Sequence, residues 1–208
     1  MKLTKIFFLG ASVLLGLLAL TACSKPPPKH PNDLCLIFKQ YPTWYWDAQE
    51  VQKRWGLPIS TLMAIIHQES HFQAGAAPPR EKILWIIPWK RPTSAYGYSQ
   101  AVNATWARYK KDTGGGFFTN RDTFGDAADF IGWYAKQAHQ RAHIPMSNTY
   151  EMYLAYHEGI GGYISGTYKS KKWLIAVAQK VQRQAWTYSW QLKQCESSLP
   201  QKPWWHVW

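Results

Sequence analysis

"ISTLMAIIHQESHF", Ile59 to Phe72, is the stretch that decides how this chain folds. Leu62, Ile65 and Ile66 share one face of a helix at 100° per residue, and continuing that face reaches Glu69. The spacing predicts a helix over 59–70 whose apolar stripe ends on a carboxyl. An unpaired charge is costly to bury, so a carboxyl in that position tends to keep its proton. Such a group stabilises poorly and serves well as a general acid. The bland alternative is a carboxylate that caps a neighbouring helix end or pairs with Arg91 or Arg108.

Outward from this helix the chain reads as more helices and loops. "DLCLIFKQY" (33–41) and "TWYWDAQEVQKRW" (43–55) precede it, the second ended by Gly56 and Pro58. After it come "TFGDAADFIGWYAKQAHQRAH" (123–143), "SNTYEMYLAYHEG" (147–159) with Ser147 or Asn148 as a cap, and "SKKWLIAVAQKVQRQAWTYSWQLKQC" (170–195), the longest. No stretch alternates convincingly as a strand between hairpin turns. The expectation is a mainly α, single globular domain over 33–196. The proline-rich segment from Ala74 to Ala95 carries "ILWIIPW" and is long for a compact domain, a property of functional loops.

Both ends stand apart from this domain. Residues 1–22 have a positive start, an unbroken apolar run and small residues before Cys23, which is a secretory signal pattern. Leu20-Thr21-Ala22-Cys23 resembles the lipobox of bacterial lipoproteins, which implies cleavage before Cys23 and its acylation. A lone membrane-spanning anchor is the alternative. Residues 23–32, with "KPPPKHP", make a stiff polar tether, and 197–208 an aromatic, flexible tail. With Ser24 after the cysteine, lipoproteins of this kind go to the outer membrane, so the expected location is the periplasm, lipid-anchored there.

Charge narrows the partners. The chain holds 24 Lys and Arg against 12 Asp and Glu, a formal +12. Loss of Lys2 and Lys5 with the leader leaves 22 − 12 = +10. That balance suits an anionic polymer, of which export favours anionic lipid or a carboxylate-bearing cell wall over nucleic acid, plain solubility being the bland alternative. Cys35 and Cys195 flank the domain, and an oxidising compartment favours pairing them, two buried thiols being the alternative. All 13 tryptophans lie beyond the leader; on a cleft they would stack on sugars, at a surface they would enter a membrane interface.

Other chemistries fit poorly. His67 and His71 share the i, i+4 spacing of zinc ligands, but Glu69 falls about 200° round from His67 and no third ligand follows. His139 and His143 repeat the spacing on a helix exterior. No metal or cofactor is expected. Gly97-Tyr98-Ser99-Gln100 is not a nucleophile elbow, and neither Cys35 nor Cys195 has the setting of a reactive thiol.

Glu69-Ser70, Gly97-Tyr98-Ser99-Gln100 and Ala155-Tyr156-His157-Glu158-Gly159 form an ordered trio. The chain resembles the soluble-lytic-transglycosylase (SLT) family over roughly Gln49 to Gln184, where the three motifs run "ES", "GLMQ" and "AYNAG". The resemblance implies a lysozyme-like fold and cleavage of peptidoglycan between N-acetylmuramic acid and N-acetylglucosamine to a 1,6-anhydro product. It implies Glu69 as acid and then base, Ser70 bonding near Glu69 and the sugar, Gln100 lining the cleft and Tyr156 orienting the catalytic carboxyl. Tyr98, His157 and Glu158 stand where the family's substrate-contacting motifs stand, with altered side chains. Glu158 as a second carboxylate would favour lysozyme-like hydrolysis; as a residue at a helix end it would be merely solvated. A non-catalytic glycan-binding scaffold and a peripheral membrane lipoprotein complete the alternatives. The extra segment with Trp85 and Trp89 reads as a lid or as a surface for an envelope or secretion-machinery partner.

Overall fold

A computed structural model describes residues 25–80, 82–83, 87–88 and 91–204. The expected leader, Cys23, Trp85, Trp89 and the end of the tail lie outside the described residues. Eight α-helices occur among the described residues: α1 (Leu34–Gln40), α2 (Pro42–Trp55), α3 (Ile59–Ser70), α4 (Asn103–Thr113), α5 (Phe124–Ala142), α6 (Thr149–Glu158), α7 (Ile160–Ser165) and α8 (Lys172–Cys195). The class is mainly α, as the periodicity indicates. A two-residue antiparallel ladder, Lys82–Ile83 with Ile87–Pro88, lies in the long loop.

Helix α3 occupies the centre because nearly every side is apolar. Ile59, Thr61 to Ile66 and Ser70 are all buried, the pattern of a core helix rather than a surface one. Its first N–H, on Ile59, donates to Oε1 of Gln52 at 3.1 Å, so α2 supplies the cap that Pro58 lacks. Helix α8 packs along α3 and α6, and α2 along α5. Asp33 caps α1 by accepting from the Leu36 N–H at 3.0 Å, and Asn148 caps α6 by accepting from the Glu151 N–H at 3.1 Å.

Aromatic rings fill the space between these helices. Trp44 stacks on Phe124 at 4.2 Å between centroids and meets the edge of Tyr98 at 5.6 Å. At the α2–α5 crossing, closeness depends on Gly132, where an added Cβ would sit 2.4 Å from Trp55 Cδ1. Cys35 and Cys195 are joined as a disulfide with Cα atoms 6.1 Å apart, tying α1 to the end of α8.

Two helices are absent from the sequence reading, and the reasons are physical. Helix α4 buries only Trp106 and Tyr109, too few to draw an apolar stripe. Helix α7 has six residues, two of them glycine, below the length at which periodicity can be seen.

Candidate active site

The last turn of α3 delivers Glu69 to one side of a groove of about 440 Å³, with Gln100, Thr105, Phe130, Tyr134, Tyr156 and His157 among its walls. Helix α3 stops immediately beyond. His71 and Phe72 both take left-handed backbone conformations, φ +52° and +61°, uncommon for side-chain-bearing residues. Burial of Phe72, stacked against His67 at 5.3 Å and Trp44 at 5.9 Å, offsets the strain and fixes where Glu69 ends up.

Oε1 of Glu69 is buried without a hydrogen-bond partner. Loss of water around this carboxyl pushes its pKa up to about 7, against a smaller opposing pull from the Tyr153 hydroxyl. The acid is therefore substantially protonated at neutral pH, as its place on the apolar stripe implies. It neither caps a helix nor pairs with arginine: Arg91 donates to the Pro78 carbonyl at 2.6 Å, and the Arg108 guanidinium lies 5.3 Å over Trp133. Tyr153, one turn before Tyr156 on α6, directs its hydroxyl at Glu69. Burial, together with the charge and hydrogen bonding of that carboxylate, holds the Tyr153 proton on.

The remaining expected site residues divide. Gln100 lines the groove, its Nε2 donating to the carbonyls of Ala76 at 2.8 Å and Gly97 at 2.9 Å. The turn that carries it needs Gly97, whose φ is +78° and whose Cβ would meet the Arg121 carbonyl oxygen at 2.0 Å. Tyr156 also lines the groove, but its hydroxyl donates to the Ser99 carbonyl at 2.6 Å. The hydroxyl bonded to the Glu69 carboxyl is thus that of Tyr153, not that of Tyr156. Ser70 is buried, and its hydroxyl donates to the Ile66 carbonyl one turn back at 3.1 Å. Tyr98 is only 2% exposed and belongs to the aromatic core beside Trp44 and Phe124.

His157 and Glu158 close the far end. Glu158 accepts from Lys171 Nζ at 2.7 and 2.9 Å and from the Thr167 hydroxyl at 2.7 Å. These bonds, Lys171 foremost, hold its carboxyl below the usual range. Its carboxyl is thus engaged by Lys171 and Thr167 at the end of α6. His157 is exposed, 3.4 Å from Glu158 and edge-on to Trp173 at 5.2 Å between centroids.

Tyr153, Phe130, Tyr134 and Lys171 escaped the sequence reading. A signal existed for the first: Tyr153 and Tyr156 stand three apart and so share the α6 face that meets α3. Lys171 lies 13 residues from Glu158, with a short helix and a turn between, and no local spacing announces it. On the other side of α3, His67 Nδ1 lies 3.0 Å from the Tyr188 hydroxyl, and burial pushes the imidazole pKa down to about 4.

Fold and site define the class: a helical, lysozyme-like domain that presents one desolvated acid to an open groove. The model of the family described as "Transglycosylase SLT domain" matches residues 11–195, and the chain belongs to that family. Membership connects it with lytic, transglycosylase-type action on peptidoglycan in the periplasmic space. No curated protein and no solved structure matches the chain significantly.

Proposed function

We propose that this chain is a membrane-anchored lytic transglycosylase that cleaves the bond between N-acetylmuramic acid and N-acetylglucosamine without water. The observation that carries the reading is the contrast between the two carboxyls at the groove. Glu69 is desolvated with its pKa raised to about 7, whereas Glu158 is held by Lys171 and Thr167. One group can give a proton at neutral pH, and the other has its oxygens committed.

In the first step the Glu69 proton passes to the glycosidic oxygen as the bond to the muramic acid anomeric carbon breaks. The substrate's own acetamido group supports the positive charge that develops, the task a second carboxylate performs in many glycosidases. Glu69, now ionised and still addressed by the Tyr153 hydroxyl, then takes the proton of the muramic acid 6-hydroxyl. That oxygen bonds to the anomeric carbon, giving a 1,6-anhydro end and returning Glu69 to its acid form. No water or co-reactant is consumed. Gln100 and Tyr156 position the glycan, and acylation at Cys23 holds the enzyme at a membrane, the outer membrane by the signal logic.

The test is digestion of purified sacculi by the wild type and by Glu69→Gln, with the released fragments weighed. Anhydro-muropeptides from the wild type and none from the variant are the expected result. Reducing-end muramic acid would select hydrolysis instead. Binding of sacculi with no fragments released would select a glycan-binding scaffold.

A further inference from the structure

We propose that the outer face of α8 is a membrane-interfacial surface that lies on a bilayer carrying anionic phospholipid. The proposal is independent of how, or whether, Glu69 turns over. Helix α8 runs 24 residues, Lys172 to Cys195, about 36 Å at 1.5 Å per residue. Leu174, Ala178, Val181, Ala185, Tyr188 and Cys195 face the core. At 100° per residue the opposite face gathers Lys172, Arg183, Trp186, Trp190 and Lys193, all exposed, with exposed Lys180 at its edge beside His67 and His71 of α3.

This face has the composition of a helix that rests in a headgroup layer. Trp186 is 64% and Trp190 65% exposed among the described residues, one turn apart, an unusual cost for a helix face left uncovered. The whole helix contains no Asp or Glu. Among the described residues none of the four cations forms a salt bridge. Long Lys and Arg stems can lie along acyl chains while their heads reach phosphate, and indole rings suit the same depth. A straight convex ridge touches a plane along its length, whereas sugar stacking calls for rings lining a groove. The groove of this domain lies elsewhere, walled by α3, α4, α5 and α6.

The N-terminal segment docks against the same helix. The Tyr188 hydroxyl donates to the Pro31 carbonyl, Gln191 Nε2 donates to the Asn32 carbonyl at 3.1 Å, and the Leu34 N–H donates to Gln191 Oε1 at 2.8 Å. Nearer the leader, Lys25 Nζ donates to the Thr43 hydroxyl at 3.0 Å and the Tyr41 hydroxyl donates to the Pro26 carbonyl at 2.7 Å, so the chain runs on towards Cys23 from the junction of α1 and α2. A lipid on Cys23 would hold the domain at the bilayer by that junction, and the α8 face would decide how the domain lies on it. Trp173, at the border of this face, meets His157 at the groove, so that orientation would also set where the groove points.

The full chain is reconstituted into vesicles of phosphatidylcholine with phosphatidylglycerol, and into phosphatidylcholine alone, each with brominated acyl chains. The fluorescence lost in Trp186→Phe/Trp190→Phe isolates the two indoles from the other tryptophans. We expect that component to be quenched at least twofold in the anionic vesicles. The quenching should be relieved by high salt and by Arg183→Glu/Lys193→Glu. All of these positions are exposed, and the circular dichroism spectrum and melting midpoint of the variants should match wild type, which checks their folding without recourse to turnover. An unquenched component in anionic vesicles would overturn the proposal. So would equal quenching in both vesicle types, or a change produced by sacculi and not by lipid, which would make the face a glycan surface.

Discussion

Glu69 sets two experiments whose signs are opposite. Its pKa in the folded chain is raised to about 7 from an ordinary 4.5, by burial. Below about pH 4.5 folded and unfolded chains both hold the proton, and burial costs nothing through ionisation. Between 4.5 and 7 the unfolded chain releases its proton while the folded one keeps it, so stability falls as pH rises. Above 7 the penalty is fully present, on the order of 3 kcal/mol. Glu69→Gln should therefore be inactive yet more stable than wild type at pH 8, with the gain vanishing near pH 4. Urea midpoints at the two pH values would measure it, and equal differences at both would contradict the burial argument. If Glu69 is the proposed general acid, the rate follows its protonated form, and kcat/KM should decline above about pH 7. Because the Tyr153 hydroxyl favours the ionised carboxyl, Tyr153→Phe should move that decline to higher pH. Tyr156→Phe should leave it in place and cost about 1 kcal/mol of stability for the lost bond to Ser99. A decline that moved with Tyr156 instead would return the addressing role to that residue.

At the scale of the elements, one carboxylate joins three helices. Asp129 on α5 accepts from Trp55 Nε1 at 2.7 Å and Arg54 at 3.2 Å on α2, and from the Tyr109 hydroxyl at 2.8 Å on α4. Removing it leaves a half-buried indole N–H and a phenol without partners, so Asp129→Ala should cost about 2–4 kcal/mol by chemical denaturation. Gly132, one turn along α5, admits the same Trp55. Gly132→Ala should cost about 1–3 kcal/mol by overpacking, and less in the Asp129→Ala background, where the indole is free to move. A strictly additive double variant would mean that Trp55 is not the shared element. These contacts mark where reading by period succeeds. Helix α3 spans the residues its apolar run predicts, and α5, α6 and α8 begin and end within two residues of theirs, because a buried face writes itself every three or four positions. Helix α4 writes almost nothing, since Asp129 and two aromatic rings hold it in place of a stripe. The groove shows the same division. Glu69 is legible from its own helix, while the Tyr153 and Lys171 partnerships depend on which helices pack together, which local spacing does not encode.

For the whole molecule the strongest tie is also the longest. Cys35 and Cys195 close a loop of 160 residues, so in the chain-entropy picture the disulfide stabilises by roughly 5 kcal/mol through the unfolded chain. The residues it joins are also where α1 and the N-terminal segment dock on α8, through Gln191 and Tyr188. Opening the bond should first free this end, leaving the Glu69 groove on the other face of α3 intact. Cys35→Ser/Cys195→Ser should unfold at a denaturant midpoint lower by roughly 5 kcal/mol divided by the m-value, with kcat/KM on glycan strands near wild type at low temperature. Hydrogen exchange should show residues 31–40 and the last turns of α8 opening well before α3 and α6. If α3 lost protection together with α1, the disulfide would be holding the catalytic helix as well as the end of the chain. Reduction would then abolish activity before it unfolded the domain.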